Sequence, residues 1–494
     1  MTNAFSKLGR HALIYTLGTL AGKAASFVLL PLYTRYLNPA DFGVLEMLSI
    51  TTEITSIVLG AGLSGALIRY WKKYDSVAEQ RTVASTALGA VLLLGAVGIL
   101  LAVLLHPTIA RLVLGGSRFA FALELMFIAT FFEIAIALPM DLMRAQERSV
   151  LYTTVSLLRG IANMALTIYL VAGRQMGVLG AVWANVIISG LAAPLILLYT
   201  LTVVRSVKIS LVQLRELLRY GLPIVPAALA LYALHSTGRF FLRSHIGLAE
   251  VGLFSLGFKI SVMVQVLVTS PFNQVWSWLM FDVAKREQAA ETTARIMTYY
   301  LLVASGFALF LCALSRDLLH LMAAPAYWSA YAVVPTIIIG YIAYGAEGIT
   351  SAGLYIKERT LYRAYLVFGA AGLNVVLNEL LVPVWRMQGA AAAGSLSFIL
   401  LLLGSAFLAR RLFPVPWEIK RYVHLLAVNV ALGALAFATI QYYPGILPGA
   451  ILRGLIALSM PVWLLLTGFF RPEELGALRR LRSKVVATAE NING

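Results

Sequence analysis

Asn38-Pro39-Ala40-Asp41-Phe42-Gly43-Val44-Leu45 closes one apolar segment and opens the next, and Leu248-Ala249-Glu250-Val251-Gly252-Leu253-Phe254 holds the same place between two later segments. Gly43 and Gly252 stand 209 residues apart. The same offset separates Gly180, in Gly177-Val178-Leu179-Gly180-Ala181-Val182, from Gly389, in Gly389-Ala390-Ala391. All these points lie between apolar segments, so the echo is topological as well as chemical. It predicts a duplicated membrane bundle of two pseudo-symmetric six-helix lobes. Paired repeats of this kind let a protein build a central site that opens to either side.

Composition supports the same reading. The chain is 60% hydrophobic and 12% charged, with a mean hydropathy of +0.85, which excludes a soluble globular protein. A span needs about 20 apolar residues. Fourteen such stretches are legible, at 11–36, 43–68, 83–105, 119–141, 150–172, 178–200, 221–243, 251–278, 296–315, 331–355, 362–383, 389–409, 422–441 and 449–470. The expected fold is an all-α polytopic membrane protein. An N-terminal lobe at 1–204 and a cytoplasmic amphipathic linker at 205–220 precede a second lobe at 221–412. Two additional spans lie in 413–470, and a basic tail occupies 471–494. In the linker, Leu211, Leu214 and Leu218 share a helical face while Lys208, Arg215 and Arg219 supply charge, as in a helix lying in the membrane interface. Six prolines (31, 139, 223, 226, 271 and 335) lie in or near spans, where a bend or an ordinary membrane-helix proline reads equally well.

The net charge of +17 is not spread evenly. With both termini placed in the cytoplasm, 27 of the 39 lysines and arginines fall in inner ends and loops, seven in outer loops and five inside spans. This is the positive-inside asymmetry. The charge then orients the protein in the cytoplasmic (inner) membrane and meets anionic headgroups; no nucleic-acid partner is expected. The first span has no small-residue cleavage site after it and reads as retained. Cys312 is the only cysteine, so neither an internal disulfide nor a cysteine-based metal site can form.

Ionisable residues inside spans cost about 2.5–3.5 kcal/mol each and usually face a cavity or a partner. Helical spacing sorts them into polar stripes: Tyr15, Thr19, Lys23, Ser26 and Tyr33 in the first span; Glu46, Ser49, Glu53 and Ser56 in the second; Tyr152, Ser156, Arg159, Asn163 and Thr167 in the fifth. The seventh aligns Tyr232, His235, Arg239 and Arg243, and the tenth aligns Tyr344, Glu347, Ser351 and Tyr355. Turned inward, these faces would enclose a hydrated, mixed-charge cavity.

Lys23 and Arg159 come from the first half, Arg239 and Lys259 from the second, so a phosphate held between the lobes would meet cations from both. Arginine forks suit phosphate oxygens and lysine adds a point charge; Asn163 and His235 lie on the same stripes. Pairing with buried carboxylates, such as Lys23 with Glu53, explains each cation equally well. Glu46, Glu53, Glu133, Glu347 and Glu379 are candidates for coupling to Na+ or H+, or for salt bridges that hold one conformation. Arg453, one turn into the last span, either snorkels outward or meets a lipid phosphate in a groove. The six histidines lack metal-ligand spacing, no phosphate loop with Lys-Ser/Thr is present, and no enzymatic constellation stands out. No metal or cofactor is expected.

The order and spacing of several short runs resemble the polysaccharide-biosynthesis family of oligosaccharide (O-antigen type) flippases, within the multidrug/oligosaccharidyl-lipid/polysaccharide exporter superfamily. These are Arg35-Tyr36-Leu37-Asn38-Pro39-Ala40-Asp41-Phe42-Gly43, Gly62-Leu63-Ser64-Gly65-Ala66-Leu67-Ile68-Arg69-Tyr70, Glu250-Val251-Gly252-Leu253-Phe254-Ser255-Leu256-Gly257-Phe258-Lys259, and Asn374-Val375-Val376-Leu377-Asn378 followed by Pro383 and Gly389-Ala390-Ala391. The resemblance implies a V-shaped, two-lobed fold with alternating access. Its implied cargo is a polyprenyl-diphosphate-linked oligosaccharide, moved outward for cell-surface polysaccharide synthesis beside glycosyltransferases and a polysaccharide polymerase. Lys23 and Lys259 match the basic first and eighth spans of related lipid II flippases. Glu46 and Glu53 stand where those relatives are basic, which favours a different glycan. The last two spans are implied to form a groove for the lipid tail.

The alternatives are an organic-cation multidrug exporter, a membrane glycan polymerase or ligase, and a non-transporting scaffold. Four intramembrane cations argue against the first, short outer loops against the second, and the number of buried charges against the third.

Overall fold

The structure, a computed structural model, describes residues 27–205, 208–442 and 446–476. Every regular element among them is helical, because a chain crossing lipid must satisfy its backbone polar groups internally. A helix at 27–36 (α1) leads into Pro39–Gly60 (α2) and Leu63–Lys73 (α3). The first lobe continues through Val77–Leu104 (α4), His106–Leu114 (α5), Ala120–Ala145 (α6), Ser149–Ile168 (α7, extended by a π-turn at Tyr169–Gly173) and Gly177–Val204 (α8). Leu211–Gly221 (α9) is the linker. The second lobe holds Ile224–His245 (α10), Leu248–Val264 (α11), a π-turn at Gln265–Thr269, Ser270–Val283 (α12) and Ala289–Met322 (α13). It ends with a 3₁₀ stretch at Pro325–Val333, Val334–Thr350 (α14), Ala352–Ile356 (α15) and Thr360–Ala409 (α16). Ile419–Tyr442 (α17), Ile446–Leu458 (α18) and Met460–Leu466 (α19) pack back onto α13 and one another.

Twelve helical stretches among the described residues are long and apolar enough to cross a membrane. One of them, α16, is helical except at Arg386, where φ 50° and ψ −129° turn the chain back. Counting it as two passes gives thirteen among the described residues, and α1 is the described end of the first stretch read from the sequence. The protein is a multi-pass membrane protein of two six-helix lobes plus a C-terminal pair.

The repeated sequence runs have local jobs. Asn38 caps α2: its side-chain oxygen accepts the Asp41 N–H at 2.9 Å, with Pro39 in the first turn. Gly247 and Glu250 begin α11 at the equivalent place. The glycines serve the packing between helices. A Cβ on Gly43 would overlap the Leu248 carbonyl, and one on Gly252 would overlap the Pro39 carbonyl. Those two contacts are related by the 209-residue offset, so the pseudo-two-fold axis passes between α2 and α11. Bare backbones allow this approach, as at other membrane helix crossings.

The second echo marks a helical hairpin. A Cβ on Gly180 would lie 3.1 Å from the Leu170 carbonyl, and one on Gly389 would press on the Leu381 carbonyl. The first hairpin turns through Gly177 at φ 57°; 209 residues on, the second turns through Arg386 at φ 50°.

The structure refines three expectations. The second span is broken at Ala61 and Gly62, both left-handed (φ 47° and 65°), so 43–68 is two helices. The connections at 106–118 and 316–330, expected on the outer side, are largely helical, through α5 and the extension of α13 to Met322. Three of the noted prolines stand where the helix changes character: Pro223 at the cap of α10, Pro335 in the first turn of α14 after the 3₁₀ stretch, and Pro271 just after the π-turn within the continuous span Leu248–Val283. Pro139 lies inside α6.

Candidate functional site

The lobes meet along α2, α10 and α11, and the polar stripes of these helices face one another there. Glu46, Ser49 and Glu53 from α2, Tyr232, His235, Ser236 and Arg239 from α10, and Phe258 and Lys259 from α11 line a cavity of about 380 Å³. Spacings of three and four place each set on one helix face. A second chamber of about 200 Å³ reaches into the first lobe past Tyr33, Asn163 and Asn185. Glu46, Ser49 and Lys259 belong to both chambers.

That shared wall is an ion pair between the lobes: Lys259 Nζ lies 2.9 Å from Glu46 Oε1. Arg239 is almost wholly buried. Its Nε donates to Ser255 Oγ at 2.9 Å and its Nη1 to the His235 carbonyl at 3.0 Å. The guanidinium lies 4.0 Å from the Phe258 ring centroid, an arrangement that suits a cation in a partly apolar wall. His235 stacks on Tyr341 and touches Tyr344 and Phe398, with Nδ1 3.3 Å from Tyr341 Oη. Glu53 is exposed and has no ion-pair partner among the described residues. Two cations and two carboxylates therefore share one cavity.

One end of this space is shut. Beyond the Gly43–Gly252 crossing, Tyr327 Oη donates to the Leu37 carbonyl at 3.1 Å and Thr34 Oγ1 to the Met322 carbonyl at 3.1 Å. Arg243 Nη2 donates to the Arg111 carbonyl at 2.8 Å. Along α2 the exposure grows in the other direction, from buried Gly43 through part-buried Glu46 to exposed Ser49 and Glu53. The cavity thus opens away from the end at which α2 and α11 begin.

Other sequence candidates lie elsewhere. Arg159 pairs with Glu133 at 2.5 Å within the first lobe, one turn from Asn163, which lines the smaller chamber. Glu347 is buried and gripped by Arg363 at 3.0 and 2.9 Å, with Ser405 Oγ at 3.1 Å. The tenth-span stripe thus faces α16 inside the second lobe. Glu379 meets His245 at 3.1 Å near a lobe end. Arg453 is buried, with Nε and Nη2 on Asp317 at 2.8 and 2.6 Å, and so it ties α18 to α13 and does not snorkel. Lys23 lies outside the described residues.

Sequence reading missed Ser255, Asp317 and Arg363. Ser255 sits one turn before Lys259 on the same face, a usable signal. Asp317 falls beyond the apolar stretch at 296–315, and Arg363 is the second residue of the one at 362–383, where it reads as a basic end residue, whereas the helices run on past both stretch ends.

Comparison with known proteins places this geometry. Residues 8–284, more than half of the chain, match the family described as "Polysaccharide biosynthesis protein". A solved structure described as the lipid II flippase MurJ in an inward closed conformation aligns with a TM-score of 0.72 and 11% identity. It covers 92% of this chain and 100% of its own. An inward-facing multidrug resistance MATE family transporter aligns with a TM-score of 0.62 and 16% identity, covering 80% and 94%. At these identities the likeness is one of fold. An uncharacterized membrane protein of Haemophilus influenzae is 24% identical over 265 residues. That match covers 52% of this chain and 61% of the relative, less than two thirds of its length. With the fold of those solved structures, this chain belongs to the polysaccharide biosynthesis protein family.

Proposed function

We propose that the protein translocates polyprenyl-diphosphate-linked oligosaccharide units across the cytoplasmic membrane by alternating access. The observation that carries this reading is the cavity between the lobes, shut at one end and walled by Arg239, Lys259, Glu46 and Glu53. Lys259 and Arg239 would receive the diphosphate, Lys23 would add to it, and Asn163 and His235 would meet sugar hydroxyls. Arg159 would act from behind Asn163. The prenyl tail would remain in lipid, with the C-terminal pair around Arg453 as its flank. The lysine and arginine asymmetry supports both termini in the cytoplasm, which makes the observed state inward-opening. Glu53 is the foremost candidate for Na+ or H+ coupling, with Glu46 next; Glu133, Glu347 and Glu379 are held in pairs and would respond through them. Glycosyltransferases and a polysaccharide polymerase would act before and after this step.

Cargo shifts the balance of states only through different affinities for them. A diphosphate that competes with Glu46 for Lys259 would loosen the tie between lobes and supply that difference. Deleting the protein should leave lipid-linked repeat units facing the cytoplasm. Arg239→Ala and Arg159→Ala should each abolish glycan export while preserving membrane insertion. Normal outer-leaflet delivery without the protein would end the proposal. A second reading, export of organic cations, has exposed Glu53 in its favour; a drug-susceptibility panel of the deletion strain separates the two.

A further inference from the structure

The linker helix α9 has a face that the transport cycle leaves unused. Its other side is spent on the first lobe. Tyr74 Oη donates to Glu216 at 2.5 Å, and Lys73 Nζ stands 3.5 Å from the same carboxylate. Ser85 Oγ donates to the Lys208 carbonyl at 2.5 Å and the Ser210 N–H to Thr86 Oγ1 at 3.0 Å, while Leu217 is fully buried against α3 and α4. Burial and the Glu216 carboxylate push the Tyr74 hydroxyl up to about 12, so it remains a donor.

The free side carries Leu211, Leu214, Leu218 and Leu222 interleaved with Arg215 and Arg219, and these outline a groove of about 590 Å³ running to the start of α10. Leu211 is 77% exposed and Leu222 52%. Arg215 and Arg219, one turn apart, are exposed and have no ion-pair partner among the described residues. A groove with exposed Leu211 and Leu222 at its ends, part-buried Leu214 and Leu218 between them and two unpaired guanidinium groups beside them is matched to a molecule that is apolar along most of its length and anionic at one end.

We propose that this groove seats one anionic phospholipid of the leaflet that α9 borders. The leucines would cover the first acyl methylenes and the arginine forks would hold the phosphate. Because α9 is fixed to the first lobe and α10 begins the second, the lipid would lie at the joint between them. Two cations near an anionic headgroup set the expected preference at roughly thirtyfold over a zwitterionic lipid.

The test uses the full chain in nanodiscs of phosphatidylcholine containing one fifth phosphatidylglycerol, with lipids retained after gentle release counted by native mass spectrometry. Wild type should keep one phosphatidylglycerol, and R215Q/R219Q should lose it by roughly thirtyfold. K357Q/R286Q, which removes the same charge from exposed loop positions, should keep it. Equal retention in wild type and R215Q/R219Q overturns the proposal, as does equal loss in the loop variant, which would make the effect one of general surface charge. If R215Q/R219Q does not fold, wild type alone decides: phosphatidylglycerol must raise its Tm where phosphatidylcholine does not, and the absence of that difference overturns the proposal.

Discussion

Lys259 reaches Glu46 at 2.9 Å across the pseudo-two-fold axis, and the repeat equivalents of these two residues are Ile50 and Ser255. The scaffold is symmetric there and the chemistry is not. Glu46 lies one turn beyond Gly43 and Lys259 two turns beyond Gly252, so the pair sits just inside the closed end. Lys259→Ala should lower export by at least about tenfold, equivalent to roughly 1.4 kcal/mol. The exchanged pair, Glu46→Lys with Lys259→Glu, should restore association of the lobes without restoring export. Transport assays together with cross-linking across the axis check this, and full export by the exchanged pair would show that the ion pair is only a tie.

The Gly43–Gly252 crossing leaves no room for side chains. Gly43→Ala or Gly252→Ala should force α2 and α11 apart and loosen the closed end. With Cys312→Ser as background, a cysteine at Ser49 reports on the cavity. An impermeant maleimide added on the closed side should label it several-fold faster when either glycine is replaced. Unchanged labelling would mean that the seal resides in the hydrogen bonds of Tyr327, Thr34 and Arg243.

Arg453 and Asp317 form a buried pair between α18 and α13. Removing one partner strands the other charge, at a cost of about 3–5 kcal/mol. Asp317→Leu alone should therefore lower the Tm in detergent strongly. Asp317→Leu with Arg453→Met should recover most of the loss, because no orphan charge remains. If the double variant melts as low as the single one, the pair is worth more than its desolvation.

At the opposite end, Glu474 accepts from Arg421 at 3.1 and 2.8 Å and from the Arg471 N–H at 2.9 Å, while Arg471 also pairs with Glu418. Burial raises the Glu474 pKa, but the Arg471 N–H and the Arg421 and Tyr299 side chains more than offset it, leaving the group below its usual 4.5. Its contribution is thus complete above pH 4.5 and is lost as pH falls through the lowered value. Hydrogen-exchange protection in 413–421 and 471–476, corrected for the intrinsic pH dependence of amide exchange, should fall below pH 4.5 in wild type. Glu474→Gln should show less of that dependence, and an identical profile would show that Glu474 does not carry it.

The positive-φ turn at Arg386 shows how the two halves diverged. Gly177 fills this place in the first lobe without strain, whereas an arginine there costs conformational energy. Arg386 Nη2 lies 3.0 Å from Glu250, which also accepts the Met387 N–H at 3.3 Å. The charge that begins α11 thereby also fastens the α16 hairpin.

The sequence by itself determined the bundle, its duplication and the helix faces that meet. Apolar length, the 209-residue echo and three-or-four spacing are one-dimensional quantities, and lipid permits few ways to satisfy them. Glu46, Glu53, His235, Arg239 and Lys259 were all legible as stripe residues, and the structure brings all five to one cavity. The tertiary structure alone decided which charges are partnered. Arg159 with Glu133, Glu347 with Arg363, and Arg453 with Asp317 are contacts between helices, set by rotation and depth that no periodicity encodes. Whether a buried charge faces an opposite charge or open water depends on a few ångströms of approach, and only the packed lobes fix that distance.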